Sequence, residues 1–177
     1  IGNRNQIREF TTLQPGTVSG DGETTIGDGN LFMAYCHVAH DCHVGNRIIM
    51  ANGATLAGHV YVGDFVILGG LCAVHQFVRV GESAMLAGGS MVTQDVPPYC
   101  VASGDRASLK GLNLVGLKRR GFTAETITAI KRAYKILVRS GLRQEEALQR
   151  IQAELPQLPQ IIQFAQFVEQ SERGICR

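Results

Sequence analysis

Five histidines, His37, His40, His43, His59 and His75, fall between positions 37 and 75 of a 177-residue chain. An imidazole titrates near neutrality, so beside a groove it can take a proton from an alcohol; as a neutral ring it can instead ligate a metal. Spacing decides whether these rings can act together. A step of eighteen residues from His40 reaches Gly58 and a second reaches Gln76, while the adjoining column runs Asp41, His59, Phe77. If the chain climbs one level per step, His40, Gly58-His59 and His75-Gln76 line one vertical strip, on levels about 5 and 10 Å above the first. A single histidine in a repeat is ordinarily a solvated surface residue, but several converging on one strip make a site. His75 also takes a slot that is Gly or Ala in most repeats, and such local violations mark functional or strained positions. Asp41 directly follows His40. Neighbours along a strand point to opposite faces, so Asp41 can orient His40 only where the chain turns between them.

The eighteen-residue step follows from a six-residue one. Every sixth residue from Ile26 to Val92 is a large aliphatic or aromatic side chain, twelve in succession, and neither a helix nor an ordinary strand keeps that phase. A short-period parallel β-solenoid does, with three hexads to a triangular coil. The residue after the anchor is Gly or Ala in nine of the twelve repeats, as crowded corners require. Four places beyond each anchor stand compact residues such as Cys36, Cys42, Ile48, Val60 and Cys72, which fill the rest of a narrow interior. Ile7 and Leu13 share the register, and the chain reads as one lacking its first coils. Leu13 and Ile26 are thirteen apart, two hexads plus one, and Val18 to Thr25 is rich in turn formers, so a loop leaves the solenoid there. Pro97 and Pro98 end the strand stacking.

The expected organisation is a solenoid over 1–98, a connector over 99–122 and a three-helix domain over 123–177. Thr123 caps a helix over 124–140 that Gly141 stops; a second helix covers 144–154 and a third roughly 160–171, with Pro156 and Pro159 between them. A helical cap would also shield the open strand edges.

A net charge of +2 lacks the basic excess of a nucleic-acid binder. No apolar run approaches the length of about 20 residues that spans a bilayer. Cys36, Cys42 and Cys72, in the inward column, read as compact reduced hydrophobes suited to a cytoplasmic compartment. Tyr35, Ile49, Tyr61, Phe65, Ile67, Leu71, Phe77, Met85 and Met91 occupy outward slots, too apolar a surface for a monomer. Packing one prism face against a different face of the next copy closes a ring, and three sides suggest a homotrimer.

Taken in order, His37-Val-Ala-His40-Asp41-Cys, Asn52-Gly-Ala-Thr-Leu-Ala-Gly58-His59-Val, Ala73-Val-His75-Gln76-Phe, Gln94-Asp-Val-Pro-Pro-Tyr99 and Gly111-Leu-Asn113-Leu-Val-Gly-Leu-Lys118-Arg119-Arg120-Gly-Phe resemble the acyl-carrier-protein–UDP-N-acetylglucosamine O-acyltransferases of lipid A biosynthesis. The resemblance spans nearly the whole chain and corresponds to roughly the last two thirds of a family member. It implies a left-handed parallel β-helix followed by a C-terminal helical domain. That hand runs against the usual crossover preference and comes from the resemblance alone.

The resemblance further implies transfer of a 3-hydroxyacyl group from acyl carrier protein to UDP-N-acetylglucosamine, with no metal or other cofactor. His40 matches the general base, Asp41 its orienting partner, and Gly58 the residue whose backbone N–H stabilises the oxyanion. His37, His59, His75 and Gln76 match groups that hold sugar, diphosphate or acyl hydroxyl. Asn113 and Arg119 match contacts in the connector, with Arg120 nearby; a guanidinium suits a diphosphate because it donates two hydrogen bonds in a fixed fork. Gly88 matches the position limiting acyl depth, and its lack of a side chain implies a long chain. Val115 stands where some members carry a substrate-binding carboxylate. Four alternatives stay open on the residues: a zinc hydratase drawing three imidazoles from His37, His40, His59 and His75; an N-acyltransferase of the same pathway, against which the Gly116–Phe122 segment and the helical tail count; a non-catalytic solenoid that only trimerises or binds carrier protein; and, for Lys118-Arg119-Arg120, a solvated run or a dock for the acidic carrier protein.

Overall fold

The computed structural model describes residues 1–177. Fourteen two-residue strands wind into a three-sided parallel solenoid. The first face stacks Gln6–Ile7, Leu31–Phe32, Ile49–Met50, Ile67–Leu68 and Met85–Leu86. The second stacks Thr12–Leu13, His37–Val38, Thr55–Leu56, Ala73–Val74 and Met91–Val92, and the third Thr25–Ile26, His43–Val44, Tyr61–Val62 and Arg79–Val80. In each strand the second residue is the hexad anchor. From Ile26 to Val92 the anchors are buried, as are Cys36, Cys42, Ile48, Val60, Val66, Cys72 and Val78 in the second inward column. Each fully buried large anchor stabilises the fold by roughly 1.5–3 kcal/mol.

Most strands pair with an offset of eighteen, as in Thr25 beside His43, but Gln6 lies beside Leu31 and Thr12 beside His37, an offset of 25. The gap from Leu13 to Ile26 is therefore one hexad carrying an inserted loop, not two hexads plus one. The chain turns only one corner there, and the surplus residues fold outward over it.

Each corner contains a feature that residue size alone does not reveal. Gly29, Tyr35, Asp41, Arg47, Gly53, His59, Phe65, Leu71, Phe77, Ser83 and Gly89 form one hexad column, and every one has φ between +53° and +69°. That conformation costs an L-residue roughly 1–2 kcal/mol. At positions away from Asp41 stacking offsets it, because the strained N–H donates to the coil below: His59 to the His40 carbonyl at 3.0 Å, Phe65 to Asn46 at 2.8 Å, Leu71 to Asn52 at 2.9 Å.

After the two prolines, the stretch expected as a plain connector forms a hairpin and a short helix. Cys100–Ser103 pairs parallel with Met85–Leu86, and Ser108–Leu112 returns antiparallel, so the first face gains two strands. These strands carry no hexad signature because their partners lie within the hairpin or at the sheet edge. Helix α1 (Leu114–Arg119) follows, then α2 (Ala124–Arg139), α3 (Gln144–Glu154) and α4 (Pro159–Glu169). Thr123 Oγ1 accepts the Thr126 N–H and caps α2, whose Ile127, Ile130, Tyr134 and Leu137 are buried. All five cysteines are free and buried. No helix is long and apolar enough to cross a membrane.

Candidate active site

The corner between the second and third faces carries the histidine strip. At Asp41 the backbone enters the left-handed region, φ +57°, and the reversal brings its carboxylate under the preceding ring: His40 Nδ1 lies 2.8 Å from Asp41 Oδ2. This is the turn that a dyad of adjacent residues requires. Asp41 is fully buried. Its oxygens accept the Thr17 N–H (3.0 and 3.2 Å), the Thr17 hydroxyl (2.7 Å) and the Gly22 N–H (3.1 Å), all from the inserted loop. Burial pushes the carboxyl up, but the hydrogen bonds from Thr17, His40 and Gly22 outweigh it and hold Asp41 well below the usual carboxylate range. An ionised carboxylate only accepts, so His40 donates Nδ1–H and keeps its lone pair on Nε2. The His40 side chain is 45% exposed, open to a substrate.

One coil up, the ring rests on glycine. A Cβ at Gly58 would lie 2.6 Å from His40 Cε1 and 2.8 Å from Nε2, so only a residue without a side chain lets the imidazole approach this backbone. The Gly58 carbonyl receives Phe77 N–H, while the Gly58 N–H is not among the backbone donors that find a carbonyl. A proton acceptor and an uncommitted backbone donor thus lie side by side. His59 stands edge-on to His40, with ring centroids 5.1 Å apart, and its Nε2 is 4.0 Å from Asp41 Oδ2. Phe77 stacks on its far face at 4.5 Å.

The remaining histidines diverge. His37, on the second face, has Nδ1 2.7 Å from Thr12 Oγ1, and His75 is exposed with Nδ1 3.2 Å from the Gln76 carbonyl. His43 sits on the third face between Thr25 Oγ1 (2.8 Å) and Asp21 Oδ2 (3.2 Å), where it steadies the inserted loop. Donor atoms within 4.8 Å of one another come from His40, Asp41 and His59. The imidazole set expected for zinc, with His37 and His75, does not converge. A cation at His40, Asp41 and His59 would also compete with the donors already on Asp41.

Asn113, Arg119 and Arg120 are not on the histidine strip. They border a cavity of about 500 Å³ at the corner between the third and first faces, with Phe65, Ile67 and Met85 in its wall. Asn113 is buried: its Oδ1 caps α1 by accepting Gly116 N–H, and its Nδ2 donates to the Ser83 carbonyl at 3.0 Å, which leaves one amide hydrogen. Arg120 is held by Glu82 at 2.8 Å, by the Ser83 hydroxyl and by the Phe65 ring at 3.6 Å. Glu82 in turn accepts Gln163 Nε2, and Gln163 Oε1 accepts the Tyr99 hydroxyl, so α4 braces this corner. Arg119 is exposed, and Val115 sits at the rim, 61% exposed. Gly88 lies on the third corner, where a Cβ would be 3.2 Å from the Gly70 carbonyl of the coil below. The sequence reading missed Thr17, Gly22, Glu82 and Gln163. Thr17 and Gly22 look like turn residues until the pairing register brings Asp41 beneath them.

The fold and this corner define the class: a solenoid of transferase hexapeptide repeats closed by a helical tail. The family model for bacterial transferase hexapeptides (six repeats) matches residues 23–58, and the model described as UDP N-acetylglucosamine O-acyltransferase, domain 2, matches residues 95–176. An acyl-[acyl-carrier-protein]–UDP-N-acetylglucosamine O-acyltransferase of Burkholderia orbicola is 54% identical over 147 residues, 83% of this chain and 56% of that protein. One from Burkholderia mallei is 47% identical over the whole chain and 69% of its own length. Among solved structures, LpxA from Acinetobacter baumannii superposes with a TM-score of 0.96 at 43% identity, covering 99% of this chain and 69% of that one. The UDP-N-acetylglucosamine acyltransferase from Campylobacter jejuni gives 0.94 at 47% identity, with the same coverage. The chain belongs to the acyl-[acyl-carrier-protein]–UDP-N-acetylglucosamine O-acyltransferase family. It spans little more than half the length of the Burkholderia orbicola relative.

Proposed function

We propose that this protein transfers a (R)-3-hydroxyacyl group from acyl carrier protein to the 3-hydroxyl of UDP-N-acetylglucosamine, the first step of lipid A biosynthesis. One observation carries this reading: His40, held by a buried carboxylate on Nδ1, turns Nε2 toward the backbone of Gly58. His40 Nε2 takes the proton of the sugar hydroxyl as its oxygen attacks the thioester carbonyl. The Gly58 N–H stabilises the resulting oxyanion. On collapse the C–S bond breaks, and the imidazolium returns the proton to the departing thiolate. Asp41 holds the ring and stabilises its charged form, and His37, His59, His75 and Gln76 are proposed to grip sugar, diphosphate and acyl hydroxyl.

The working enzyme is proposed to be a homotrimer in the cytoplasm, a compartment that suits five unpaired thiols. Tyr35, Tyr61, Leu71 and Phe77 are exposed on the outer surface and call for a partner. In a ring of three, the histidine corner of one copy faces the Asn113–Arg119 cavity of the next, which unites the two sets of matched residues. Gly88, at the third corner, is proposed to bound the acyl chain, its missing side chain leaving room for a long one.

Incubation with hydroxyacyl carrier proteins of several lengths and UDP-N-acetylglucosamine, with products weighed by mass spectrometry, tests the reaction. An O-acylated sugar nucleotide supports it, and its absence from active-site-intact trimer removes it. Mixing His40→Ala and Arg119→Ala subunits at a sugar-nucleotide concentration too low for the Arg119→Ala protein tests the shared site: activity in the mixture above the sum of the two variants alone requires residues from two copies.

A further inference from the structure

The inserted loop over residues 14–24 breaks the repeat, yet it folds back on the most buried charge of the histidine corner. Thr17 gives Asp41 both its backbone N–H and its hydroxyl, and the hydroxyl shares Oδ2 with His40 Nδ1, at 2.7 and 2.8 Å. Gly22 N–H adds a donor to Oδ1 at 3.1 Å. The loop is packed hard against the carboxylate, since a Cβ at Gly20 would fall 2.5 Å from it. The geometry points to Thr17 as a positioning residue for the transfer reaction, the third member of a Thr17–Asp41–His40 relay in which the loop hydroxyl sets how strongly the carboxylate grips the ring.

The inference rests on the acyltransferase reading for its kinetic consequence only. Four charged or titratable neighbours bear on the relay. His59 Nε2 is 4.0 Å from the same Oδ2, the Cys42 thiol behind the corner donates to the Ala57 carbonyl, and His43 and Asp21 pair across the loop. Thr17 is the one side chain whose hydrogen bond ends on the oxygen that His40 uses. Without it, negative charge concentrates on Oδ2 and favours the imidazolium. The ring then protonates at higher pH, and the neutral base is lost sooner as pH falls.

The test compares the unsubstituted protein with Thr17→Val, which keeps the shape and the backbone donor, and Thr17→Ser, which restores the hydroxyl. Ring nitrogen shifts of His40, followed by NMR across pH, should show protonation in the Val variant displaced upward by about half a unit. The acidic limb of its pH–rate profile should move with it, and kcat should fall by about tenfold. Thr17→Ser should return both. A Val variant whose ring titration is unmoved, or a Ser variant as altered as Val, overturns the relay. If the unsubstituted protein acylates no sugar, the function reading fails while the ring measurement still decides the role of Thr17.

Discussion

Two corners of the same prism have nearly the same backbone and do opposite things with it. Asp41, His59 and Phe77 at one, and Arg47, Phe65 and Ser83 at the other, are all left-handed turn residues stacked one per coil. At the histidine corner the turn exposes a polarised ring, because the charge that directs it is buried and its hydrogen bonds come from an inserted loop. At the other corner the turn supports a cavity wall, and the guanidinium of Arg120 is clamped by Glu82 and Phe65. A repeat thus supplies interchangeable platforms. The non-repetitive segments, the 14–24 loop at one corner and α1 with α4 at the other, give them different chemistry.

Substitutions at the histidine corner should have the largest effects and should be confined to rate. His40→Ala removes the proposed general base and should lower transfer by about 10²–10⁴-fold, with circular dichroism and assembly state unchanged. If activity persists near the original level, the histidine corner is not the catalytic half. Gly58→Ala should rank next, with a loss of about 10²-fold, because its Cβ would need the space of the His40 ring. A crystal structure of that variant should show the imidazole displaced.

At the other corner the two adjacent arginines should separate by type of effect. Arg120→Ala strips the partner from Glu82 and the cation from Phe65, and should destabilise the fold by about 1–3 kcal/mol, read as a lower Tm. Arg119→Ala should leave Tm unchanged and raise KM for the sugar nucleotide. Equal behaviour of the pair would erase the distinction between brace and ligand.

The smallest expected effect is of pH on the loop. Asp41 is depressed in the folded state, so its hydrogen bonds contribute stability above the ordinary carboxylate value of about 4, and that contribution disappears as pH falls toward the folded-state value. Amide signals of Thr17 and Gly22 should therefore hold their positions at pH 5 to 6 and shift only in stronger acid, roughly below pH 4.

Much of this was legible from residue spacing. The anchors from Ile26 to Val92 fixed the inward faces, since a six-residue period buries one side chain per short strand and no other element keeps it. The eighteen-residue step placed His40, Gly58 and Gln76 in one column, and Thr123 with its apolar stripe marked α2. The hairpin at 100–112 was not legible, because its pairing depends on an edge left by the last coil. Nor was the role of Thr17, whose partner is 24 residues away across an insertion that shifts the register.

By itself, then, the chain determined the prism, its buried columns and which histidines share a corner, because those follow from local period and side-chain volume. Only the folded molecule decided that Asp41 turns back beneath His40 and that the loop hydroxyl reaches it. It also decided that Asn113, Arg119 and Arg120 belong to a different corner. Those outcomes depend on backbone handedness at single residues and on contacts between distant segments, neither of which a one-dimensional pattern encodes.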